Sequence, residues 1–250
     1  MVSSFAGQVV LVTGASTGIG RAAALLFAER GADVVVNYLR NRDAAEEVGR
    51  RIEAMGQRNL VIQADVGKED DVQAMVKHVL DTFGRIDVLV NNAGSPVRRS
   101  AVLDCPTELW DEVMAVNLKG TFLCCREVLP AMLEKKKGCI VNVSSIASRL
   151  GGPGESVHYA AAKGGLNSFT IGLAKELAPY GIRVNAVSPG LIDTPFHEKF
   201  STPERLQRII AGTPLGRIGR PEEIAEMIVF LASDAVGFLT GEIIEVDGGR

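Results

Sequence analysis

Seven short runs of β-branched and other apolar residues recur along the chain, each separated from the next by a stretch of helical pattern. This alternation limits the fold more than any other feature of the sequence. The runs are VVLVTG (9–14), DVVVNY (33–38), NLVIQADV (59–66), IDVLVNNAG (86–94), GCIVNVSS (138–145), IRVNAVSPG (182–190) and GEIIEVDGG (241–249). They are apolar on both faces, as strands are when helices cover both sides of a parallel sheet. Helical patterns fill 19–30, 42–55, 69–83, 107–133, 160–178 and 221–233, the last opened by Pro221 with Glu222 and Glu223 behind it. Pro followed by acidic residues is a strong helix start. Regular β-α alternation predicts an α/β fold, a single doubly wound domain over 1–250 with helices on both faces and right-handed crossovers. The rhythm breaks at 191–220, an insertion with three prolines between a strand and a helix. A long excursion at that end of a strand predicts a lid over a site.

Composition removes several classes of function. The chain is 46% hydrophobic and 23% charged with a net charge of −3, which leaves no basic face for nucleic acid and no polybasic anchor for a membrane. Its longest apolar runs are broken by Gly or charge, and MVSSFAGQVVLVTG at the N-terminus has neither a charged n-region nor a long apolar core. No signal peptide or membrane span is expected, and the predicted location is cytoplasmic. Cys105, Cys124, Cys125 and Cys139 lack CxxC spacing and a nearby His pair, so they read as structural thiols and no metal site is predicted.

The turn after the first strand carries the first chemistry. In TGASTGIGRAAALLF (13–27), Gly14 permits a tight turn, Gly18 lets backbone approach a phosphate, and Gly20 allows a helix to pack closely on the strand. Ser16, Thr17 and Ile19 fill the positions between them, at the start of a helix whose free N–H groups and dipole suit a pyrophosphate. A Gly-rich turn in this place is the mark of a Rossmann-type dinucleotide fold. The second strand ends in Asn37, Tyr38, Leu39 and Arg40, with no carboxylate before Asp43. Nothing there repels a 2′-phosphate, and Arg40 either pairs with one or is a solvated loop cation. NADP(H) is therefore the favoured cofactor, with NAD(H) the alternative. Asp65 and Val66 close the third strand, where an adenine would lie. Asn91 either ties neighbouring strand ends together or touches the cofactor, and Ala93 and Gly94 line it.

Tyr159 precedes Lys163 by four residues in VHYAAAKGG (157–165), so the two share a helix face. On its own the pair says little, because Tyr and Lys at helical spacing are common on surfaces. In company with TGASTGIG, NNAG, Asn117 in VNLKG, Ser145 in VNVSS and SPG at 188–190, the sequence resembles the short-chain dehydrogenase/reductase superfamily along essentially its whole length. Within it, the strand end VVVNY, the VHYAAAKGG helix and the 191–220 segment look most like bacterial glucose 1-dehydrogenases. The overall pattern is also similar to 3-oxoacyl-acyl-carrier-protein reductases. The resemblance implies a seven-stranded parallel sheet, a homotetramer or less often a dimer, and hydride transfer between nicotinamide and a carbonyl or alcohol. It implies Tyr159 as acid and base, with Lys163 lowering the phenol's pKa and gripping the nicotinamide ribose. Ser145 would hold the substrate oxygen, with Ser144 structural. Asn117 would bind a water linking Lys163 to solvent; from its residue type alone it is a helix-bending Asn satisfied by backbone. Pro189, Gly190, Ile192 and Thr194 would meet the carboxamide.

Other residues are weaker candidates. His158 points about 100° from Tyr159 on a helix and reads as local or substrate-lining. His197 sits in the 191–220 segment, and Arg98 and Arg99 either meet an anionic substrate or face solvent. EKKKG (134–138) is a solvated helix end to which an acidic acyl-carrier protein could dock, but Tyr180 stands where such reductases usually carry Arg, which disfavours that partner. Gly164 and Gly165 in the Tyr159 helix point to close approach of a partner helix. The rival function classes are a non-catalytic dinucleotide-binding regulator on the same fold, which would typically lack Tyr or Lys, and an epimerase of the longer related branch with an added C-terminal domain.

Overall fold

All seven runs become strands of one parallel sheet. The computed structural model describes residues 4–250, with the side chains of 197–199 outside the described set. The strands are β1 (Val9–Val12), β2 (Asp33–Tyr38), β3 (Asn59–Gln63), β4 (Val88–Asn91), β5 (Gly138–Val143), β6 (Ile182–Pro189) and β7 (Ile243–Val246), in the order β3-β2-β1-β4-β5-β6-β7. Each pairing is parallel, with Leu11 beside Val35 on one side and Leu89 on the other. The helices are α1 (Gly18–Glu29), α2 (Arg42–Ala54), α3 (Glu69–Phe83), α4 (Thr107–Met114), α5 (Gly120–Lys135), α6 (Ala147–Leu150), α7 (Val157–Leu177), α8 (Pro195–Phe200), α9 (Pro203–Ala211) and α10 (Pro221–Ala232).

Two-sided burial explains the apolar runs. Val10 and Val12 enter the core formed with α1, α2 and α10, while Val9 and Leu11 enter the opposite core formed with α3, α5 and α7. All four are at most 3% exposed, so each strand residue buries its side chain on one face or the other, worth about 1.5–3 kcal/mol apiece. The order reverses between β1 and β4, and the crevice at the carboxyl ends of the strands beside that switch is where a doubly wound sheet binds ligands.

The helix expected over 107–133 is interrupted. Ala115–Lys119 forms a π-helical turn between α4 and α5. Asn117 accounts for it: its Nδ2 donates to the Val113 carbonyl at 2.8 Å, taking the acceptor that the regular i→i−4 ladder would use. The strands also end earlier than their apolar runs, because the residues after Val12, Asn91 and Val143 leave the ladder to form the crevice rim. Within 191–220 the prolines Pro195 and Pro203 each start a helix.

Candidate active site

A cavity of about 990 Å³ runs along the carboxyl edge of the sheet, from the α1 turn, past the ends of β2 and β3, to α7 and the 191–220 segment. Among the residues expected at the site, Gly14, Ser16, Thr17, Gly18, Ile19, Asn37, Arg40, Asp65, Val66, Ala93, Gly94, Ser145, Tyr159, Lys163, Pro189, Gly190, Ile192 and Thr194 all line it. Gly20, Tyr38, Asn91 and Asn117 do not, and each has a different task.

Gly20 packs α1 on the sheet, since a Cβ there would strike Gly14 O and Asn92 Nδ2. Tyr38 is buried in the core at 6% exposure, because alternation along β2 turns it to the face opposite Asn37. Asn91 lies beneath the strand ends and donates to Asn142 Oδ1 at 3.0 Å. Asn142 in turn donates to Thr170 Oγ1 at 2.9 Å, so a buried amide chain ties β4 and β5 to α7 and fixes the rotation of the helix that carries Tyr159. Asn117 is fully buried, accepting from Ser95 N at 3.0 Å and donating to Ser95 O at 2.6 Å. Its amide is thus satisfied by backbone.

The phosphate turn is held from both neighbouring strands. Asn37 Oδ1 accepts from Gly14 N at 3.1 Å while its Nδ2 donates to Ala64 O at 3.1 Å. Thr13 Oγ1 accepts from Asn92 N and Ala93 N at 3.0 and 3.1 Å. Gly18 has φ of +56°, a conformation that strongly favours Gly. At the start of α1 the Thr17 side chain makes no cap bond and the first turn holds no carboxylate, leaving N–H groups and the positive dipole end facing the cavity. These features fit the pyrophosphate of a dinucleotide. Arg40 is exposed on the cavity wall and has no hydrogen bond or ion pair to the described residues. No carboxylate stands with it at the end of β2, an arrangement that fits a 2′-phosphate.

At the other end, Lys163 is 2% exposed and donates from Nζ to Val143 O at 2.7 Å. Its ammonium lies 5.7 Å from the centre of the Tyr159 ring. Burial pushes Lys163 down to about 7, and pushes the Tyr159 phenol up to about 12 despite the opposing pull of a hydrogen bond from Ser145 and the charge of Arg99. Where the resemblance implies a lowering of the phenol by Lys163, burial raises it instead, and the phenol keeps its proton at neutral pH. Ser144 and Ser145 both line the cavity, but Ser144 is buried with its hydroxyl donated to Asn167 Oδ1 at 2.6 Å, which leaves Ser145 as the serine of the pair beside the phenol. Gly94 is required between them: a Cβ there would lie 2.8 Å from Asn117 Oδ1 and 3.1 Å from Lys163 Nζ.

The remaining candidates separate cleanly. His158 is buried against Arg98 O at 3.0 Å, lining a smaller pocket with Cys105 and Trp110. The side chain of His197 lies outside the described residues. Arg98 is exposed, whereas Arg99 lines the cavity. A Cβ at Gly165 would lie 2.9 Å from Leu118 of the same chain, and one at Gly164 would have no neighbour within 4 Å. Cys124, Cys125 and Cys139 are buried, with thiols raised by desolvation, and Cys105 is partly exposed. Among the described residues no His, Cys, Asp and Glu side chains gather to hold a metal, and no helix is long and apolar enough to cross a membrane.

Several cavity residues were not picked out from the sequence. Asn92, beside the Asn91 that was, donates to Thr13 O and Gly14 O at 2.9 and 3.0 Å; strand alternation in NNAG was the available signal. Glu155, Arg205 and Arg208 also line the cavity, but Glu155 precedes the two arginines by 50 and 53 residues and nothing local marks them.

Comparison with known proteins agrees with this geometry. The model of the family described as enoyl-(acyl carrier protein) reductase matches residues 14–250. The chain is 46% identical to a 3-oxoacyl-[acyl-carrier-protein] reductase of Synechocystis, over 99% of this chain and 98% of that one. It is 43% identical to the corresponding reductase of Staphylococcus aureus, over 96% of both chains. The crystal structure of a short-chain type dehydrogenase/reductase from Mycobacterium marinum superposes with a TM-score of 0.93 at 38% identity, covering 98% of this chain and 96% of that one. The chain belongs to the short-chain dehydrogenase/reductase family and is an oxidoreductase of that family.

Proposed function

We propose that this protein is an NADP(H)-preferring reductase of 3-oxoacyl compounds, with thioesters as the first substrates to try. The observation that carries the reading is the single cavity joining an anion-ready helix start and an uncompensated Arg40 to the Tyr159, Lys163 and Ser145 cluster. The names of the relatives favour oxoacyl thioesters over the sugars that the sequence also suggested.

The α1 turn, Asp65, Val66, Ala93 and Gly94 would hold the dinucleotide, and Pro189, Gly190, Ile192 and Thr194 its nicotinamide end. When bound, the nicotinamide supplies or accepts the hydride. Ser145 donates to the substrate carbonyl oxygen and sets it beside the phenol. Tyr159, protonated at neutral pH because burial raises it to about 12, delivers its proton to that oxygen. The phenolate so formed is stabilised by Lys163 in its charged form, which also offers donors to the ribose hydroxyls. Asn117 contributes by holding Ser95 and the π turn against Gly94 and Lys163. The 191–220 segment acts as a lid, and Phe196, 6.3 Å from Tyr159 between ring centres, forms the apolar wall of the substrate space. Exposed Phe122 and Ile171, together with the open surface at Gly164, are consistent with a homotetramer.

The test is consumption of NADPH and of NADH, followed at 340 nm with acetoacetyl-N-acetylcysteamine as substrate. Faster turnover at lower KM with NADPH supports the reading. Oxidation of D-glucose by the purified protein without thioester reduction would replace it with a sugar dehydrogenase.

A further inference from the structure

Three arginines converge on one carboxylate at the substrate end of the cavity. Arg99 Nη1 lies 3.0 Å from Glu155 Oε2, Arg205 Nε lies 2.7 Å from the same oxygen, and Arg208 Nη2 lies 3.3 Å from Oε1. Arg205 and Arg208 belong to α9, Arg99 follows β4, and Glu155 precedes α7, so the cluster joins the lid to the wall beside Tyr159. Arg99 also donates to the Phe200 carbonyl at the end of α8. As a latch the cluster is oversupplied. One Arg–Glu pair would fasten α9, whereas the second and third cations repel the first and, among the described residues, leave an excess of two positive charges. Arg99 and Arg205 are only 23% and 21% exposed, so water screens their mutual repulsion poorly, whereas Arg208 at 74% reaches solvent. Burial and the neighbouring charge of Arg205 together lower Arg99 below its ordinary range. The other acidic side chains among the described residues of the cavity wall are Asp65, past β3, and Glu112, on α4.

We propose that the substrate carries an anionic oxygen group, a carboxylate or a phosphate ester, which binds Arg99, Arg205 and Arg208 while its carbonyl meets Tyr159 and Ser145. Phe196 and Ile209 line the cavity between the two ends, and Phe200 packs on Phe196 at 5.0 Å between ring centres. The substrate is thus an oxo compound with a charged end, and Glu155 is the group its anion competes with. This inference rests on the oxidoreductase reading above but goes beyond it in stating the charge of the substrate.

The experiment compares kcat/KM with NADPH for acetoacetyl-coenzyme A, acetoacetate and the neutral acetoacetyl-N-acetylcysteamine. The unmodified protein is set beside Arg205→Gln/Arg208→Gln and Glu155→Gln. The ratio of an anionic to the neutral substrate should fall roughly tenfold or more in the arginine variant, the scale of one charge-assisted hydrogen bond, and rise in Glu155→Gln. A fall seen with acetoacetate assigns the site to a carboxylate close to the reacting carbon; a fall seen with the coenzyme A ester alone assigns it to phosphate on a longer arm. Ratios unchanged in both variants would overturn the proposal and leave the cluster as a latch. If none of the three is reduced, the oxoacyl reading fails, and calorimetric titration of acetoacetate and acetoacetyl-coenzyme A into the NADP⁺-saturated protein decides the anion site alone. Binding that the arginine variant loses supports it, and binding that the variant keeps, or its absence from the unmodified protein, refutes it.

Discussion

Replacing Lys163 by Met should remove a specific pH dependence from the stability of the fold. The buried amine titrates at about 7 in the folded protein against an ordinary 10.5, so between those values the unfolded chain binds a proton that the folded chain refuses. A depressed folded pKa gives stability that is fully present above 10.5 and is lost as pH falls toward 7. Each pH unit within the window is worth about 1.4 kcal/mol. Half-titration at the lower end trims the total, leaving about 2 kcal/mol gained between pH 7 and 9. Methionine keeps much of the length but cannot titrate, and the lost bond to Val143 O changes stability by an amount independent of pH. Urea melts of both proteins at pH 7, 8 and 9 isolate the effect, because every other group cancels in the difference between them. The unmodified protein should gain on the variant by about 2 kcal/mol across that range. Parallel stability curves would mean that Lys163 is charged in the folded state, and the desolvation argument for both Lys163 and Tyr159 would fall with it.

Other outcomes follow from the same geometry. Arg40→Ala should weaken NADPH binding by about tenfold or more with little change for NADH, measured by fluorescence titration of each; equal losses would remove Arg40 as the phosphate partner. Gly94→Ala should push a methyl against Asn117 Oδ1 and Lys163 Nζ, lowering turnover sharply while the circular dichroism spectrum stays the same. Asn91→Leu strands the Asn142 Oδ1 acceptor and should cost about 1–3 kcal/mol in urea unfolding. Carbonyl reduction should slow as pH rises through about 7, where Lys163 loses its charge, and oxidation of the corresponding alcohol should keep rising with pH as Tyr159 gives up its proton; a stopped pH profile in both directions checks the pair.

The strands were legible because a parallel sheet buried on both faces demands continuous apolar runs, and few other arrangements do. Val9–Val12 and Gly138–Val143 illustrate this, as both are interior strands with helices on each side. The phosphate turn and the Tyr159, Lys163 and Ser145 cluster were readable for a related reason: each needs particular residue types at fixed local spacing. What the sequence hid depends on relations across the fold. The π turn at Ala115–Lys119 forms because Asn117 finds Ser95 as well as Val113, and Ser95 is remote along the chain. Asn91 resolves to a strand tie only once Asn142 and Thr170 are beside it. The direction of the Tyr159 shift depends on how much water reaches the phenol, which spacing does not encode. The arginine cluster draws on three separate segments, and its members look like ordinary surface cations in the sequence.

The most direct test of the central claim is the turnover of Tyr159→Phe with NADPH and an acetoacetyl thioester, with NADPH affinity measured on the same preparation. The account predicts that the cofactor binds nearly as before while turnover falls at least about a hundredfold, the scale of a lost general acid. Turnover close to that of the unmodified protein would show that Tyr159 is not the proton donor and that the chemistry lies elsewhere in the cavity.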